Sequence, residues 1–220
     1  MAEPVLERRE VRIGGRRLEG LLRLPVRARG LIIFAHGSGS SRFSRRNNFV
    51  AEALGEAGLA TLLFDLLTRE EADDRSNVFD IARLGERVQQ AVEWAGADRW
   101  VAALPIGLFG ASTGAAAALV AAARLPDAVA AVVSRGGRPD LAGPALESVR
   151  APTLLIVGGA DEEVLKLNEQ AACRLKCERS VVVVPGATHL FEESAALEQV
   201  VTLATQWFVR HLTPGDGAPR

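Results

Sequence analysis

The sequence predicts an α/β protein: a mostly parallel sheet of about eight strands, with an antiparallel hairpin at its start and helices on both faces. Short apolar runs of strand length alternate along the chain with longer segments of helical spacing. Such alternation places parallel strands side by side and covers both faces of the sheet with the connecting helices. No linker, repeat or low-complexity segment divides the 220 residues, so we expect one domain over residues 1–220.

The predicted strands are short runs of mainly apolar residues. Gly14-Gly15 separates the first two runs and is typical of a hairpin turn. The later runs are apolar at consecutive positions, as is typical of strands that are buried on both faces of a sheet. In chain order, the runs are residues 11–13, 18–24, 30–35, 60–64, 106–111, 129–133, 153–157 and 180–184.

The segments between and after these runs are predicted to be helices. Asn47 or Asn48 can cap the first of them, and Pro126 ends the third. A charged loop, residues 65–76, precedes the second. The predicted helices cover approximately residues 47–58, 78–95, 113–124, 162–175 and 195–211. The Pro- and Gly-rich residues 213–220 are expected to form a flexible tail.

Composition excludes several classes of function. A net charge of −1 and a pI near 6.3 argue against a nucleic-acid-binding surface, which needs clustered positive charge. No apolar run approaches the roughly 20 residues that cross a membrane. The start of the chain is charged and has no apolar segment of the kind found in secretory signals. We therefore expect a cytoplasmic protein without nucleic-acid or membrane partners, and the sequence does not predict its oligomeric state.

The sequence also predicts no metal and no cofactor. Cys173 and Cys177 have the spacing of one face of a predicted helix, where a disulfide is near its geometric limit. Two thiols are too few for a zinc site, which takes about four ligands, so we expect free thiols. The Gly-rich stretches lack both the Gly-Lys-Ser/Thr ending of a P-loop and the Gly-x-Gly-x-x-Gly spacing of dinucleotide-binding proteins.

The stretch with the clearest chemistry is Gly110-Ala111-Ser112-Thr113-Gly114, where a predicted strand meets a predicted helix. In a Gly-x-Ser-x-Gly turn, the serine occupies a sharp strand-to-helix junction that presents its hydroxyl above the sheet edge. We expect Ser112 to have a positive φ and the flanking glycines to lie where side chains would collide. The pattern predicts a serine nucleophile.

A serine nucleophile needs a base that accepts its proton and an acid that orients the base. His189 is the preferred base because it lies in a loop after the last predicted strand, whereas His211 lies near the end of the last helix. Asp161 opens the loop after the preceding strand and is the preferred acid; Asp140, which also follows a strand, is the alternative. His36 follows the third strand and is expected to shape its loop instead of acting as a second base.

The order Ser112, Asp161, His189 resembles that of the α/β-hydrolases, and the likeness extends along nearly the whole chain. Residues 134–152, between the sixth and seventh strands, are too few for the cap domain that some members insert there. The chain is most similar to the small, cap-less dienelactone-hydrolase-like branch. The founding enzymes of that branch use a cysteine nucleophile where this chain has Ser112, so their substrate is not carried over.

The resemblance implies the position of the oxyanion hole. In this family one donor is the backbone N–H of the residue after the nucleophile, here Thr113, and the other comes from the loop after the third strand. That loop begins with His36-Gly37, a pair typical of the family, which makes Ser38 the second donor. Gly39 is the alternative donor and a candidate substrate contact.

These residues predict a serine hydrolase that cleaves carboxylic esters, lactones or thioesters of a small, accessible substrate through an acyl-enzyme. Acyl transfer on the same triad and a non-catalytic binding module on the hydrolase fold are the alternatives. Arg42 or Arg135, in loops near the predicted site, is the candidate for holding an anionic substrate group. The other interpretation of the loop arginines is surface pairing with the acidic residues Glu70, Glu71, Asp73 and Asp74.

Overall fold

An eight-stranded sheet runs through the computed structural model, which describes residues 7–193 and 195–212. The strands lie in the order β1-β2-β4-β3-β5-β6-β7-β8. β1 pairs antiparallel with β2 and β2 with β4, and every later pair is parallel. The predicted fold class is confirmed. The strands are β1 (Glu7–Ile13), β2 (Leu18–Leu24), β3 (Leu31–Ala35), β4 (Ala60–Phe64), β5 (Ile106–Ala111), β6 (Val129–Arg135), β7 (Thr153–Gly158) and β8 (Arg179–Val184).

Helices cover both faces of the sheet. They are α1 (Arg45–Glu56), α2 (Arg69–Asp73), α3 (Arg75–Val78), α4 (Ile81–Ala97), α5 (Thr113–Arg124), α6 (Glu162–Arg174) and α7 (Ala196–Leu212). α1 and α7 pack on one face around a buried cluster that contains Phe34 and Phe109. α4 and α5 pack on the other face around a cluster that contains Leu62 and Leu108. Burial of these two apolar surfaces is the main force that stabilises the fold.

The carboxyl ends of β3 to β8 share one edge of the sheet because these strands are parallel. The loops that follow them therefore meet above that edge, as expected for an open α/β sheet. Between β6 and β7, residues Pro139–Ser148 form a 3₁₀ segment that is interrupted at Gly143, where φ is 54°. No helix in the described part of the chain is both long and apolar enough to cross a membrane.

Two helices begin two or three residues away from their predicted starts, because serine and aspartate side chains cap them there. α1 begins at Arg45, since the Ser44 hydroxyl accepts a hydrogen bond from the Asn47 N–H at 3.3 Å. Asn47 therefore lies inside the first turn and does not cap it. α4 begins at Ile81, where Asp80 caps the helix. The segment before it, which was predicted to be a charged loop, contains the short helices α2 and α3.

The predicted hairpin is confirmed, whereas the prediction for the two cysteines is wrong in one detail. The hairpin turn, residues 14–17, contains Gly14-Gly15; both Gly14 and Arg17 have positive φ values (62° and 53°), and the Arg17 N–H donates to the Gly14 carbonyl at 3.0 Å. Cys173 and Cys177 do not share a helix face, since α6 ends at Arg174 and the backbone is extended at Leu175. Both cysteines are free thiols, as predicted.

Candidate active site

Ser112 occupies the junction between β5 and α5. Its φ of 51° and ψ of −124° lie outside the regions that ordinary residues adopt, which confirms the expected strain. A serine at a helix N-cap usually accepts a backbone hydrogen bond, but the Ser112 side chain does not cap α5. The strained turn therefore leaves the Ser112 hydroxyl free for another partner.

The glycines around Ser112 are required by close backbone packing, as the sequence pattern predicts. A Cβ on Gly110 would lie 2.4 Å from the Ala115 Cα, and one on Gly114 would lie 2.1 Å from the Ala35 carbonyl oxygen. Real side chains do not approach backbone this closely, so no other residue fits at either position without a backbone shift. The elbow is thus packed directly against the end of β3.

Asp161 and His189 form a hydrogen-bonded pair at the same sheet edge. The His189 Nδ1–H donates to the Asp161 Oδ2 at 2.7 Å, although the two residues are 28 positions apart in sequence. This bond fixes the tautomer of His189 and leaves Nε2 as the nitrogen that can accept a proton. The His189 side chain is 37% exposed and Asp161 is 16% exposed, so the imidazole is open to substrate while the carboxylate is shielded.

Backbone contacts hold the loops of Asp161 and His189 together. The Ala160 N–H donates to the Ala187 carbonyl at 2.9 Å, and the Gly159 N–H donates to the Val184 carbonyl at 2.8 Å. A Cβ on Gly158 would lie 2.3 Å from the Ala187 oxygen, so only glycine allows the loops after β7 and β8 to approach so closely. The carboxylate is therefore positioned by main chain and not by side-chain packing alone.

The end of β6 connects Ser112 to the His189 loop. The Ser112 N–H donates to the Arg135 carbonyl at 3.4 Å. The next residue, Gly136, has a φ of 51°, and a Cβ there would lie 2.9 Å from the His189 carbonyl oxygen. Two consecutive residues thus contact the backbone of the predicted nucleophile and that of the predicted base.

Two residues that sequence reasoning missed support the His189 loop. Phe191 is fully buried at a φ of 55°, and its N–H donates to the Thr188 carbonyl at 3.2 Å. Glu193 accepts hydrogen bonds from the hydroxyl and N–H of Thr188, and these bonds lower the pKa of its carboxyl group. An aromatic residue two positions after a loop histidine is a sequence signal that could have revealed this anchor.

The alternative acid and base have other partners. Asp140 forms two hydrogen bonds with Arg138, at 2.9 and 2.8 Å, and this pairing raises the pKa of Arg138. His211 lies on α7; its ring contacts that of Trp207 at a tilt of 55°, and its Nε2 is 3.6 Å from the Glu178 carboxylate. Neither residue contacts Asp161 or His189 among the described contacts, so the preferred assignment of acid and base is retained.

His36 anchors the loop after β3. Its Nδ1–H donates to the Gly37 carbonyl at 2.9 Å, and its Nε2 accepts from the Leu66 N–H at 3.0 Å. Both ring nitrogens are therefore used by backbone, and neither remains for the Ser112 proton. Burial lowers the pKa of His36, although the Gly37 carbonyl and the nearby Asp65 carboxylate act in the opposite direction.

The predicted oxyanion donors lie beside Ser112. Thr113 is the first residue of α5, so its N–H precedes the intrahelical hydrogen bonds. On the other side, a Cβ on Gly37 would lie 2.9 Å from the Ser112 Cβ, which places the loop of Ser38 against the elbow. Gly39 has a φ of 68° and is exposed, with open space around it.

The two candidate arginines for an anionic group differ in their partners. The Arg42 guanidinium pairs with Glu19 and Asp65, so its charge is already compensated, but not by the acidic cluster of residues 70–74. Arg135 is only 5% exposed, and its nearest hydrogen-bond partner is the neutral Asn47 side chain at 3.3 Å. Burial lowers the pKa of Arg135 to about 10, and the nearby Arg46 acts in the same direction.

No carboxylate pairs with Arg135 among residues 7–193 and 195–212, and its Nε has no hydrogen-bond partner there. A buried guanidinium without a counterion is costly, so its presence at this edge calls for an explanation. The sequence did not reveal Asn47 as this partner because the two residues are 88 positions apart.

The mostly parallel sheet, the strained serine elbow and the His–Asp pair at the carboxyl edge define an α/β-hydrolase. The sequence profile of the dienelactone hydrolase family matches residues 18–211, and the chain belongs to that family. The crystal structure of a dienelactone hydrolase from Anabaena variabilis is 51% identical to this chain, with a TM-score of 0.91. The match covers 96% of this chain and all of that one (100%).

More distant structures share the fold. Est1E from Butyrivibrio proteoclasticus is 18% identical, with a TM-score of 0.78, and the match covers 93% of this chain and 98% of that one. Among curated relatives, two proteins from Mycobacterium tuberculosis strains, provisionally named phosphoribosyl transferases, are 56% identical over 213 residues. That match covers 96% of this chain and 48% of each relative, so the chain spans about half the length of those proteins.

Proposed function

We propose that the protein is a serine hydrolase that cleaves carboxylic esters through an acyl-enzyme. The observation that carries the proposal is the Ser112 elbow. Its hydroxyl does not cap α5 and lies at the same sheet edge as the His189–Asp161 pair, whose hydrogen bond is 2.7 Å long. Family membership supports a hydrolase, and the ester specificity is our inference from the triad.

In the proposed reaction, His189 Nε2 removes the proton of the Ser112 hydroxyl while the Ser112 Oγ forms a bond to the carbonyl carbon of the ester. The Ser38 and Thr113 N–H groups stabilise the oxyanion. His189 then gives the proton to the leaving oxygen as the ester bond breaks. Water loses a proton to His189, attacks the acyl-enzyme and releases the acid, which restores Ser112.

Two other activities are not proposed. Acyl transfer needs an alcohol or amine acceptor in place of water, and no described residue favours one. The name phosphoribosyl transferase belongs to relatives about twice as long as the segment that this chain matches. The hydrolase profile extends over residues 18–211, so that name is not carried over to this chain.

The test is turnover of p-nitrophenyl esters, lactones and anilides by the wild type and by Ser112→Ala. We expect hydrolysis of esters by the wild type and a loss of up to about 10⁶ in kcat for the variant, by analogy with other triads. A folded Ser112→Ala variant that retains wild-type turnover would show that another group attacks the ester.

Arg135 is retained as a proposed substrate contact, because its charge has no carboxylate partner in the described residues, whereas the charge of Arg42 has two. Its guanidinium carbon lies 5.8 Å from the ring centroid of Phe191, which supports the His189 loop, so Arg135 is assigned to an anionic leaving group. The test compares 4-carboxyphenyl acetate with phenyl acetate. Arg135→Met should lower kcat/KM for 4-carboxyphenyl acetate relative to kcat/KM for phenyl acetate. If this ratio does not change, Arg135 does not bind the leaving group.

A further inference from the structure

A cleft of about 760 Å³ opens above the carboxyl ends of β3 and β4. Its volume lies within the range of about 300–1,000 Å³ that is usual for sites of small ligands. Residues 36–43, in the loop after β3, form one wall, and residues 65–69, in the loop after β4, form the other. The cleft is thus built by the oxyanion loop and its neighbour.

The lining of the cleft is part apolar and part polar. Its apolar part comes from Leu66, Leu67 and Leu84, which are buried, and from the half-buried Val78. At the mouth, Arg42 pairs with both Glu19 and Asp65, so these three charges neutralise one another in part. The apolar lining favours an apolar group, and the charge of Arg42 is already compensated. Arg17 and Arg69, which also line the cleft, form no ion pair with a carboxylate among the described residues.

The cleft lies on the opposite side of Ser112 from the proposed base. Along the sheet, the cleft is above β4 and β3, Ser112 follows β5, and Asp161 and His189 follow β7 and β8. Ser38 and Thr113, the proposed oxyanion donors, line the cleft, whereas His189 does not. A carbonyl held by these donors therefore has the cleft on one side and the imidazole on the other.

The position of His189 assigns the two halves of an ester. The base must protonate the leaving oxygen, so the leaving group lies on the β6–β8 side of Ser112. The acyl half then points away from His189, toward β3 and β4. We infer that this cleft binds the acyl group, and that the preferred substrates are esters of acids with an apolar chain or ring of several carbons. This inference depends on the proposed ester hydrolysis.

The experiment compares p-nitrophenyl hexanoate with p-nitrophenyl acetate, which share a leaving group. Burial of each additional methylene raises kcat/KM for the longer ester by about fourfold. A side chain that fills the cleft should therefore remove much of the preference for hexanoate. Val78→Trp places a bulky ring in the lining of the cleft, and Ala72→Trp does so from an exposed position on α2. We expect the hexanoate-to-acetate ratio of kcat/KM to fall at least about tenfold in a folded variant.

Leu141→Trp is the matched control, because Leu141 is also exposed at this edge but does not line the cleft. It should keep the wild-type ratio. If both Val78→Trp and Ala72→Trp are folded, hydrolyse the acetate normally and keep the ratio, the acyl group lies elsewhere and ester hydrolysis still stands. If the wild type hydrolyses neither ester, the proposed function fails, and the assignment of the cleft fails with it.

Discussion

Two histidines at one sheet edge have opposite environments. His189 is partly exposed, and one of its nitrogens bonds to the Asp161 carboxylate, which leaves the other free. His36 has both nitrogens bonded to backbone atoms of Gly37 and Leu66, and burial lowers its pKa. The same side chain is thus placed to exchange protons on the β6–β8 side of Ser112 and to hold a loop on the β3–β4 side.

The difference is the reason why we propose His189, and not His36, as the base: only His189 combines a carboxylate partner with an open nitrogen. A carboxylate partner stabilises the imidazolium that forms when the base takes a proton. In His36, hydrogen bonds to backbone disfavour protonation of the ring, because Nε2 already accepts a hydrogen bond from the Leu66 N–H. We therefore expect a substitution of His189 to lower turnover far more than the same substitution of His36.

The largest effect is expected for His189→Gln. Without the imidazole no group removes the proton of Ser112, so kcat for an ester should fall by up to about 10⁶. Steady-state assays of p-nitrophenol release from p-nitrophenyl acetate would measure the loss. A decrease smaller than that of a His36 variant would reverse the roles assigned to the two histidines.

Asp161→Asn should have the next largest effect. The amide cannot stabilise the imidazolium and can hold His189 in the wrong tautomer, so kcat should fall by about 10⁴. Asp140→Asn is the matched control: it replaces a carboxylate that pairs with Arg138, and turnover should stay close to the wild type. Equal losses in both variants would contradict the assignment of the acid.

His36→Ala should have a smaller effect on the same assay. The variant loses both loop anchors, so the Ser38 donor becomes less well placed and kcat should fall by up to about 10² with little change in KM. In His36→Gln, the amide can donate to the Gly37 carbonyl and accept from the Leu66 N–H, so activity should be largely restored. A His36→Gln variant as inactive as His36→Ala would argue for a proton-transfer role.

The smallest effect concerns stability in acid. Because the pKa of His36 is lower in the folded chain, only the unfolded chain takes up this proton as pH falls below about 6.5. The free energy of unfolding should therefore decrease toward acid pH, by at most about 1.4 kcal/mol per pH unit. Burial also lowers the pKa of His211, so the comparison uses a His211→Gln background. There, His36→Gln should flatten the pH dependence measured by denaturant unfolding.

Features that depend on a few neighbouring residues could be predicted from the sequence. The positive φ of Ser112 and the need for Gly110 and Gly114 follow from five consecutive residues, and the strands follow from apolar runs. The order of Asp161 and His189 at successive strand ends predicted which side chains would meet, although it could not give their 2.7 Å bond.

Contacts between distant loops could not be predicted. Arg42 pairs with Asp65, which is 23 positions away, although the acidic residues 70–74 were equally plausible from spacing. Arg135 meets Asn47 across 88 positions, and only the packing of α1 against the end of β6 brings them together. Such pairs depend on how helices lie on the sheet, which neither charge pattern nor periodicity specifies.

The central claim is that Ser112 is the nucleophile. The most direct test is incubation of the wild type and Ser112→Ala with a fluorophosphonate, followed by peptide mass spectrometry. We expect one phosphonyl adduct, on the peptide that contains Ser112, and none on the folded variant. Folded wild type that hydrolyses esters but carries no adduct at Ser112, or an equal adduct on the variant, would contradict it.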